Sequence, residues 1–262
     1  MKAIILAAGQ GTRLKKYTEN LPKGMLMFHG KTIIERQIDI YRKCGINNII
    51  IVSGYASEKI SYEDVTYYKN EDYANTNMVE SFLCARKEFD DDVILSYSDI
   101  LFDEAMLRQM MSANGDFVCA VDTKWQDYWR ARYGKVDFDT ESLSMDEEGN
   151  IVELGKENPN LADIDARYVG LLKFSKFGLD VIQKIMDRDY AEYQDKPWKQ
   201  SGKTIRKAYM TDLLQAVIED GKKVTGERFE NGWIEFDTND DYEIACKWAE
   251  EGSLKRFLKG EG

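Results

Sequence analysis

Residues 1 to 23 constrain this chain more than any other stretch. After Met1-Lys2, the run Ala3-Ile4-Ile5-Leu6-Ala7-Ala8 is continuously apolar, the pattern of a short strand buried on both faces. It breaks at once into Gly9-Gln10-Gly11-Thr12-Arg13-Leu14, and Pro22-Lys23 follow. Glycines directly after a buried strand let the backbone turn sharply and bring bare N–H groups up to an anion. Arg13 adds a rigid positive fork and Lys23 a mobile point charge within the same reach. The combination suits a grip on a polyphosphate.

Two common phosphate loops do not match. A dinucleotide-binding fingerprint needs a third small residue where this chain has Leu14. A P-loop needs a glycine separated by four residues from Gly-Lys-Ser/Thr. Gly30-Lys31-Thr32 has Met25 at that place and Gly202-Lys203-Thr204 has Pro197.

Further along, apolar runs alternate with helically spaced segments. Helical spacing covers 32–44 and ends at Gly45, and strands are expected over 48–52, 65–69 and 92–97 with a helix over 77–87. This alternation predicts an α/β fold, a Rossmann-like and mostly parallel sheet covered by helices on both faces. The loops at Gly9–Arg13, Gly54-Tyr55, Asn75–Asn77 and Ser98-Asp99 follow strands, so they converge on one crevice. From Asp122 the pattern changes to an aromatic and basic cluster, Trp125 to Tyr133, without a strand period. Short strands at 142–145 and 151–154 flank a turn at Glu148-Gly149-Asn150, and a strand spans 167–174. A helix is expected from 176 to 187, a mobile polar loop with an isolated Trp198 over 189–206, and a capped helix over 211–221. Trp233 to Asp237 reads as a strand, with Asn239 capping a last helix. We read 1–262 as one domain with a smaller acceptor-side lobe at about 122–168.

The net charge of −11 argues against a nucleic-acid or anionic-membrane partner. No apolar run reaches the length of a membrane span, and no signal-peptide core is evident. Cys44, Cys84, Cys119 and Cys246 sit singly in apolar surroundings without a CxxC, which suits reduced thiols and a cytoplasmic location. His29 has no ligand spacing and reads as a turn residue. A homo-oligomer is compatible with this composition, which sets no oligomeric state.

Leu6-Ala7-Ala8-Gly9-Gln10-Gly11-Thr12-Arg13-Leu14 with Pro22-Lys23 resembles the signature of the sugar-nucleotidyltransferase superfamily. Gly54-Tyr55 and Asn75-Thr76-Asn77-Met78-Val79-Glu80-Ser81 resemble its cytidylyltransferase branch, whose members act on phosphocholine, 2-aminoethylphosphonate or phosphoglutamine. Segments in the middle of the chain most resemble the phosphoglutamine enzymes of capsule or cell-surface modification. The resemblance implies CTP as nucleotide, a small phosphate or phosphonate acceptor, and Mg²⁺ as cofactor. The competing implications are a sugar-1-phosphate nucleotidyltransferase using UTP or dTTP, and a nucleotide-sensing module without catalysis.

Nucleotidyl transfer is an in-line displacement at the α-phosphorus, governed by positioning and charge neutralisation. Mg²⁺ takes one or two carboxylates plus phosphate oxygens. Asp99, closing the run Val93–Tyr97, and Asp237, after Trp233–Phe236, resemble the family's two metal ligands. Lys23 and Arg13 are the expected catalytic cations. The expected nucleotide contacts are Leu6, Ala7, Ala8, Gly9, Gly11, Thr12, Gly54, Tyr55, Thr76, Asn77, Met78 and Ser98. Asn77 is equally suited to a plain helix cap. For the acceptor, Trp125 and Trp129 offer an aromatic cage, Arg130 and Arg132 forks for carboxylate or phosphate, and Lys156 resembles the family lysine that meets the acceptor phosphate. An amino-acid phosphate or aminophosphonate ranks ahead of phosphocholine. Packing beneath the lobe would explain the same aromatics.

Overall fold

The structure is a computed structural model that describes residues 1–259. The chain begins with β1 (Lys2–Ala7), a short helix α1 (Lys15–Thr18), a ribbon of β2 (Met27–Phe28) and β3 (Lys31–Thr32), and α2 (Ile33–Lys43). Next come β4 (Ile49–Ser53), β5 (Val65–Lys69), α3 (Met78–Cys84), β6 (Val93–Tyr97), β7 (Ile100–Phe102), α4 (Glu104–Ser112) and β8 (Phe117–Asp122). The remainder is α5 (Trp125–Tyr133), β9 (Glu141–Met145), β10 (Asn150–Glu157), β11 (Arg167–Phe174), α6 (Lys176–Asp189), α7 (Met210–Glu219), β12 (Val224–Phe229), β13 (Trp233–Glu235) and α8 (Asn239–Glu250).

Nine strands form one sheet in the order β5-β4-β1-β6-β11-β8-β12-β10-β9. β1 pairs in parallel with β4 and β6, with Leu6 opposite both Val52 and Tyr97. The sheet is mostly parallel, since only β11 and β10 run against the other strands. The reversal of β11 has a functional consequence: its first residues, Arg167 and Tyr168, lie beside the carboxyl ends of β6 and β8.

The period of two sorts each strand between two cores. Ala3, Ile5, Ile49 and Ile51 face one side, where α2, α4 and α5 pack. Ile4, Leu6, Ile50 and Val52 face the other, under α3, α6 and α7. Strands buried on both faces have no room for polar alternation, which is why their sequences read as unbroken apolar runs. The turn at His29-Gly30 has φ of +48° and +79° at its two central residues, the arrangement that two-residue hairpins favour.

Several boundaries differ from those expected. The helix over 77–87 stops at Cys84, with a single tight turn at Arg86–Glu88 behind it. Residues 125–133 form a helix, because Trp125, Tyr128, Trp129 and Arg132 share one buried face at i, i+3, i+4 and i+7. β13 pairs with β7 outside the large sheet. Thr238, not Asn239, caps α8, its hydroxyl accepting from the Asp241 N–H. Trp198 is buried rather than isolated, and its indole N–H donates to Asp189 Oδ2 at 3.0 Å. The segment expected to be mobile is thus tied to the end of α6. β9 and β10 of the expected lobe continue the main sheet through β12. The four cysteines are unpaired thiols, and no described helix is long and apolar enough to cross a membrane.

Candidate active site

The loop after β1 is shaped by where a side chain cannot fit. Gly11 holds φ +67°, and a Cβ there would lie 3.0 Å from Lys23 Cβ. At Gly24 a Cβ would lie 2.7 Å from the Ile34 side chain and 2.8 Å from Ser98 Cβ. These two glycines let the Lys23 segment press between the turn after β1 and the end of β6. Thr18 Oγ1 donates to the Gly11 carbonyl at 3.0 Å and fixes the turn from below.

The Lys23 ammonium, nearly enclosed, donates to Asp99 Oδ2 at 2.5 Å and to Asp237 Oδ1 at 2.7 Å. Asp99 follows β6, whose extension is pinned by the Ser98 N–H on the Leu6 carbonyl at 3.1 Å. Asp237 follows β13, and the Phe236 N–H donates to the Asp99 carbonyl at 2.8 Å. The two loops are therefore tied backbone to backbone before their side chains meet. Arg13 forms an ion pair with Asp237 and another, at 3.3 Å, with Asp139.

Burial would raise the Asp237 carboxyl, but Lys23 and Arg13 outweigh it and hold the group below the usual carboxylate range. Burial likewise opposes the charge on Lys23, and the two aspartates overcome it and push its pKa up. Behind them, the Arg132 side chain is 1% exposed, donating from Nε to Asp241 at 2.9 Å and from Nη1 to Glu235 at 2.6 Å. Asp241 in turn accepts the N–H groups of Asp237 and Thr238. Arg132 thus orients the Asp237 loop from the core side. Burial raises Glu235 despite that partner.

Asp99 Oδ1 is buried and has no hydrogen-bond partner among the described residues. A buried carboxylate oxygen without a partner is costly unless something else binds it. Two carboxylates beside a polyphosphate site are the donor set that Mg²⁺ takes, so Asp99 and Asp237 fit that ion. Among the described residues no group of three or more His, Cys, Asp and Glu side chains could hold a metal by itself.

Two clefts meet at this cluster. The first, about 430 Å³, runs from Leu6, Ala8, Gly9, Gly11 and Thr12 past Ser98 to Thr76, Asn77 and Met78 at the start of α3. Asn77 does cap α3, its Oδ1 accepting the Met78 N–H at 2.9 Å. Thr76 Oγ1 is engaged by Asn70 and by the Asp72 carbonyl. Three expected contacts lie behind the wall. Ala7 faces the core. Gly54 has no room for a Cβ against the Ala8 carbonyl, 2.7 Å away, and the Tyr55 N–H donates to that same carbonyl. Gly54 and Tyr55 therefore buttress the loop. Tyr73, Ser81 and Tyr97 also line this cleft, and nothing in their spacing marked them.

The second cleft, about 520 Å³, shares Thr12, Arg13, Met78, Tyr97, Asp99 and Asp237 with the first. Arg167, Tyr168, Tyr209, Glu141 and Asn158 form its far walls. None of the five expected acceptor residues lines it. Trp125 and Trp129 are buried in the core, and Arg132 is consumed by its two carboxylates. Arg130 is exposed and pairs with Asp127 and Gln126 on its own helix. Lys156 is exposed on β10, next to Gly155, whose φ of +88° and contact with Thr211 exclude a side chain there. The helical period of α5 explains the outcome, since it turns the aromatics inward and Arg130 out.

The model of the MobA-like NTP transferase domain matches residues 3–140. A CTP:phosphoglutamine cytidylyltransferase of Campylobacter jejuni is 34% identical over 258 residues, spanning 93% of this chain and 98% of that protein. A choline-phosphate cytidylyltransferase of Streptococcus pneumoniae is 40% identical over 106 residues, 39% of this chain and 46% of the relative. Among solved structures, a CTP:phosphocholine cytidylyltransferase from Streptococcus pneumoniae shares the fold with a TM-score of 0.74 at 23% identity, over 95% of this chain and 98% of that one. With the glycine turn of residues 9 to 11, Lys23 and two strand-end aspartates gathered at one cleft, the chain belongs to the MobA-like NTP transferase family and is a nucleotidyltransferase.

Proposed function

We propose that this chain is a Mg²⁺-dependent cytidylyltransferase, moving CMP from CTP to a small phosphorylated acceptor with release of pyrophosphate. An amino-acid phosphate of the phosphoglutamine kind or an aminophosphonate is the favoured acceptor, and phosphocholine the next. The carrying observation is Lys23, whose ammonium is shared by Asp99 and Asp237 where the two clefts meet. The 34% identity to a phosphoglutamine enzyme over nearly the whole chain supports the choice of CTP and acceptor. Unpaired cysteines support a cytoplasmic location, and a part in capsule or cell-surface modification rests on the same family resemblance.

In this reading an acceptor phosphate or phosphonate oxygen attacks the α-phosphorus of CTP in line, and the bond to the β-phosphate bridge oxygen breaks. Asp99 and Asp237 would hold Mg²⁺, which when bound would supply charge neutralisation to the triphosphate. The backbone after β1 cradles the phosphates, Lys23 and Arg13 hold the charge that builds at phosphorus, and the α3 start meets the base. Pyrophosphate release, measured with CTP, UTP, dTTP and ATP against phosphoglutamine, 2-aminoethylphosphonate, phosphocholine and glucose 1-phosphate, tests it. Turnover confined to CTP with the first three supports the reading. Turnover with UTP or dTTP and glucose 1-phosphate replaces it with the sugar reading, and nucleotide binding without turnover replaces it with a sensing module.

A further inference from the structure

Arg167 stands apart from the other cations near the site. Lys23, Arg13 and Arg132 each hold a carboxylate. Arg167 lines the second cleft, has no ion pair or side-chain hydrogen bond among the described residues, and its buried Nε lacks a partner. Its guanidinium carbon lies over the Trp129 ring, 4.6 Å from the ring centre, a cation–π contact. Glu141 and Glu235 line the same cleft and feel its charge, yet neither closes an ion pair with it, so this half-buried guanidinium is poised for an anion from outside.

Glu141 lines the same cleft at the start of β9. Its carboxylate also makes no hydrogen bond or ion pair among the described residues, and burial raises its pKa while Arg167 pulls it down. Arg167 and Glu141 thus offer one cleft a guanidinium and a carboxyl group, sensing each other without closing a salt bridge.

The acceptor's phosphoryl end has to lie where the clefts meet, beside Arg13 and Lys23, because the α-phosphorus must be within its reach. That leaves Arg167 and Glu141 for the other end of the molecule. We propose that Arg167 takes the carboxylate and Glu141 the ammonium of an amino-acid head group, so that the two together select amino-acid phosphates over acceptors without a carboxylate. This assignment rests on the cytidylyltransferase reading and names residues for its acceptor. Trp129 then serves the acceptor at one remove, as the platform under Arg167.

The test is steady-state pyrophosphate release from CTP and Mg²⁺ with phosphoglutamine and with 2-aminoethylphosphonate, which has the ammonium but no carboxylate. Loss of one charge-assisted bidentate contact predicts that Arg167→Met raises KM for phosphoglutamine roughly 10- to 100-fold and lowers selectivity over 2-aminoethylphosphonate by the same factor. Its kcat stays within about threefold, and Arg167→Lys falls between. Glu141→Gln raises KM for both acceptors, and decides the matter alone if Arg167→Met does not fold. Equal losses on both acceptors in Arg167→Met, or an unchanged KM in Glu141→Gln, overturn the assignment while leaving cytidylyl transfer intact. A wild-type enzyme that releases no pyrophosphate from CTP with any acceptor overturns both.

Discussion

Lys23 and Asp237, 214 residues apart in sequence, are joined by a 2.7 Å ammonium–carboxylate contact, and Asp99 accepts from the same ammonium. One lysine therefore holds together the two acids that fit a metal. It also competes with that metal for them. Replacing Lys23 with Met is expected to cut turnover roughly 10²- to 10³-fold by removing a donor from the developing phosphoryl charge. In the same variant, Mg²⁺ should raise the Tm more than it does in wild type, because the carboxylates lose their built-in cation. Differential scanning fluorimetry with and without Mg²⁺ measures the second effect separately from the first.

Arg132 is a positioning residue rather than an acceptor contact. Its side chain is 1% exposed and bonded to Glu235 and Asp241, and Asp241 holds the backbone of Asp237 and Thr238. Breaking such a buried pair from one side costs about 3–5 kcal/mol. Arg132→Met should lose that much in urea unfolding and should lower kcat, leaving the preference among acceptors unchanged.

What could be read from the sequence, and what could not, follows from range. The strands Lys2–Ala7, Ile49–Ser53 and Val93–Tyr97 were legible to within a residue at each end because buried parallel strands leave an unbroken apolar signature. The meeting of Lys23, Asp99 and Asp237 at one cleft followed from the motif and from looking for two distant strand-end carboxylates. Asp103 caps α4, its Oδ1 accepting the Met106 N–H at 2.8 Å. The acceptor side was not legible. Trp125, Tyr128, Trp129 and Arg132 had helical spacing, but an arginine inside the stripe disguised a core face as a binding surface. Arg167 and Glu141 line one cleft although β8, β12 and β10 separate β11 from β9 in the sheet, and no local spacing encodes that juxtaposition.

Asp189 should set part of the acid limit of stability. Burial pushes its carboxyl up, but Arg188 and the Trp198 indole outweigh this and hold it below the usual range. A carboxyl lowered in the folded state contributes stability that is complete above its unfolded pKa, about 3.9, and fades as the pH falls through the lower folded value. Asp189→Asn should flatten the acid limb of Tm against pH, and Trp198 fluorescence in the wild type should report solvent entry along that limb.

Gly54 tests the buttress behind the phosphate loop. An alanine Cβ there would lie 2.7 Å from the Ala8 carbonyl and 2.7 Å from Tyr73 Cβ, so the loop must shift. Misplacement on the scale of an ångström costs about 10²-fold in turnover. Gly54→Ala should therefore raise KM for CTP and lower kcat together, with acceptor KM little changed, in a steady-state series over both substrates.

The central claim is that Asp99 and Asp237 act as one magnesium-dependent unit on a cytidine triphosphate. The most direct measurement is Mg²⁺-dependent pyrophosphate release from CTP by Asp99→Asn, Asp237→Asn and the double variant, each confirmed as folded by circular dichroism. Groups that act as a unit are non-additive, so each single change should reduce turnover to nearly the level of the double variant. A single variant that keeps wild-type turnover and Mg²⁺ dependence would contradict the account.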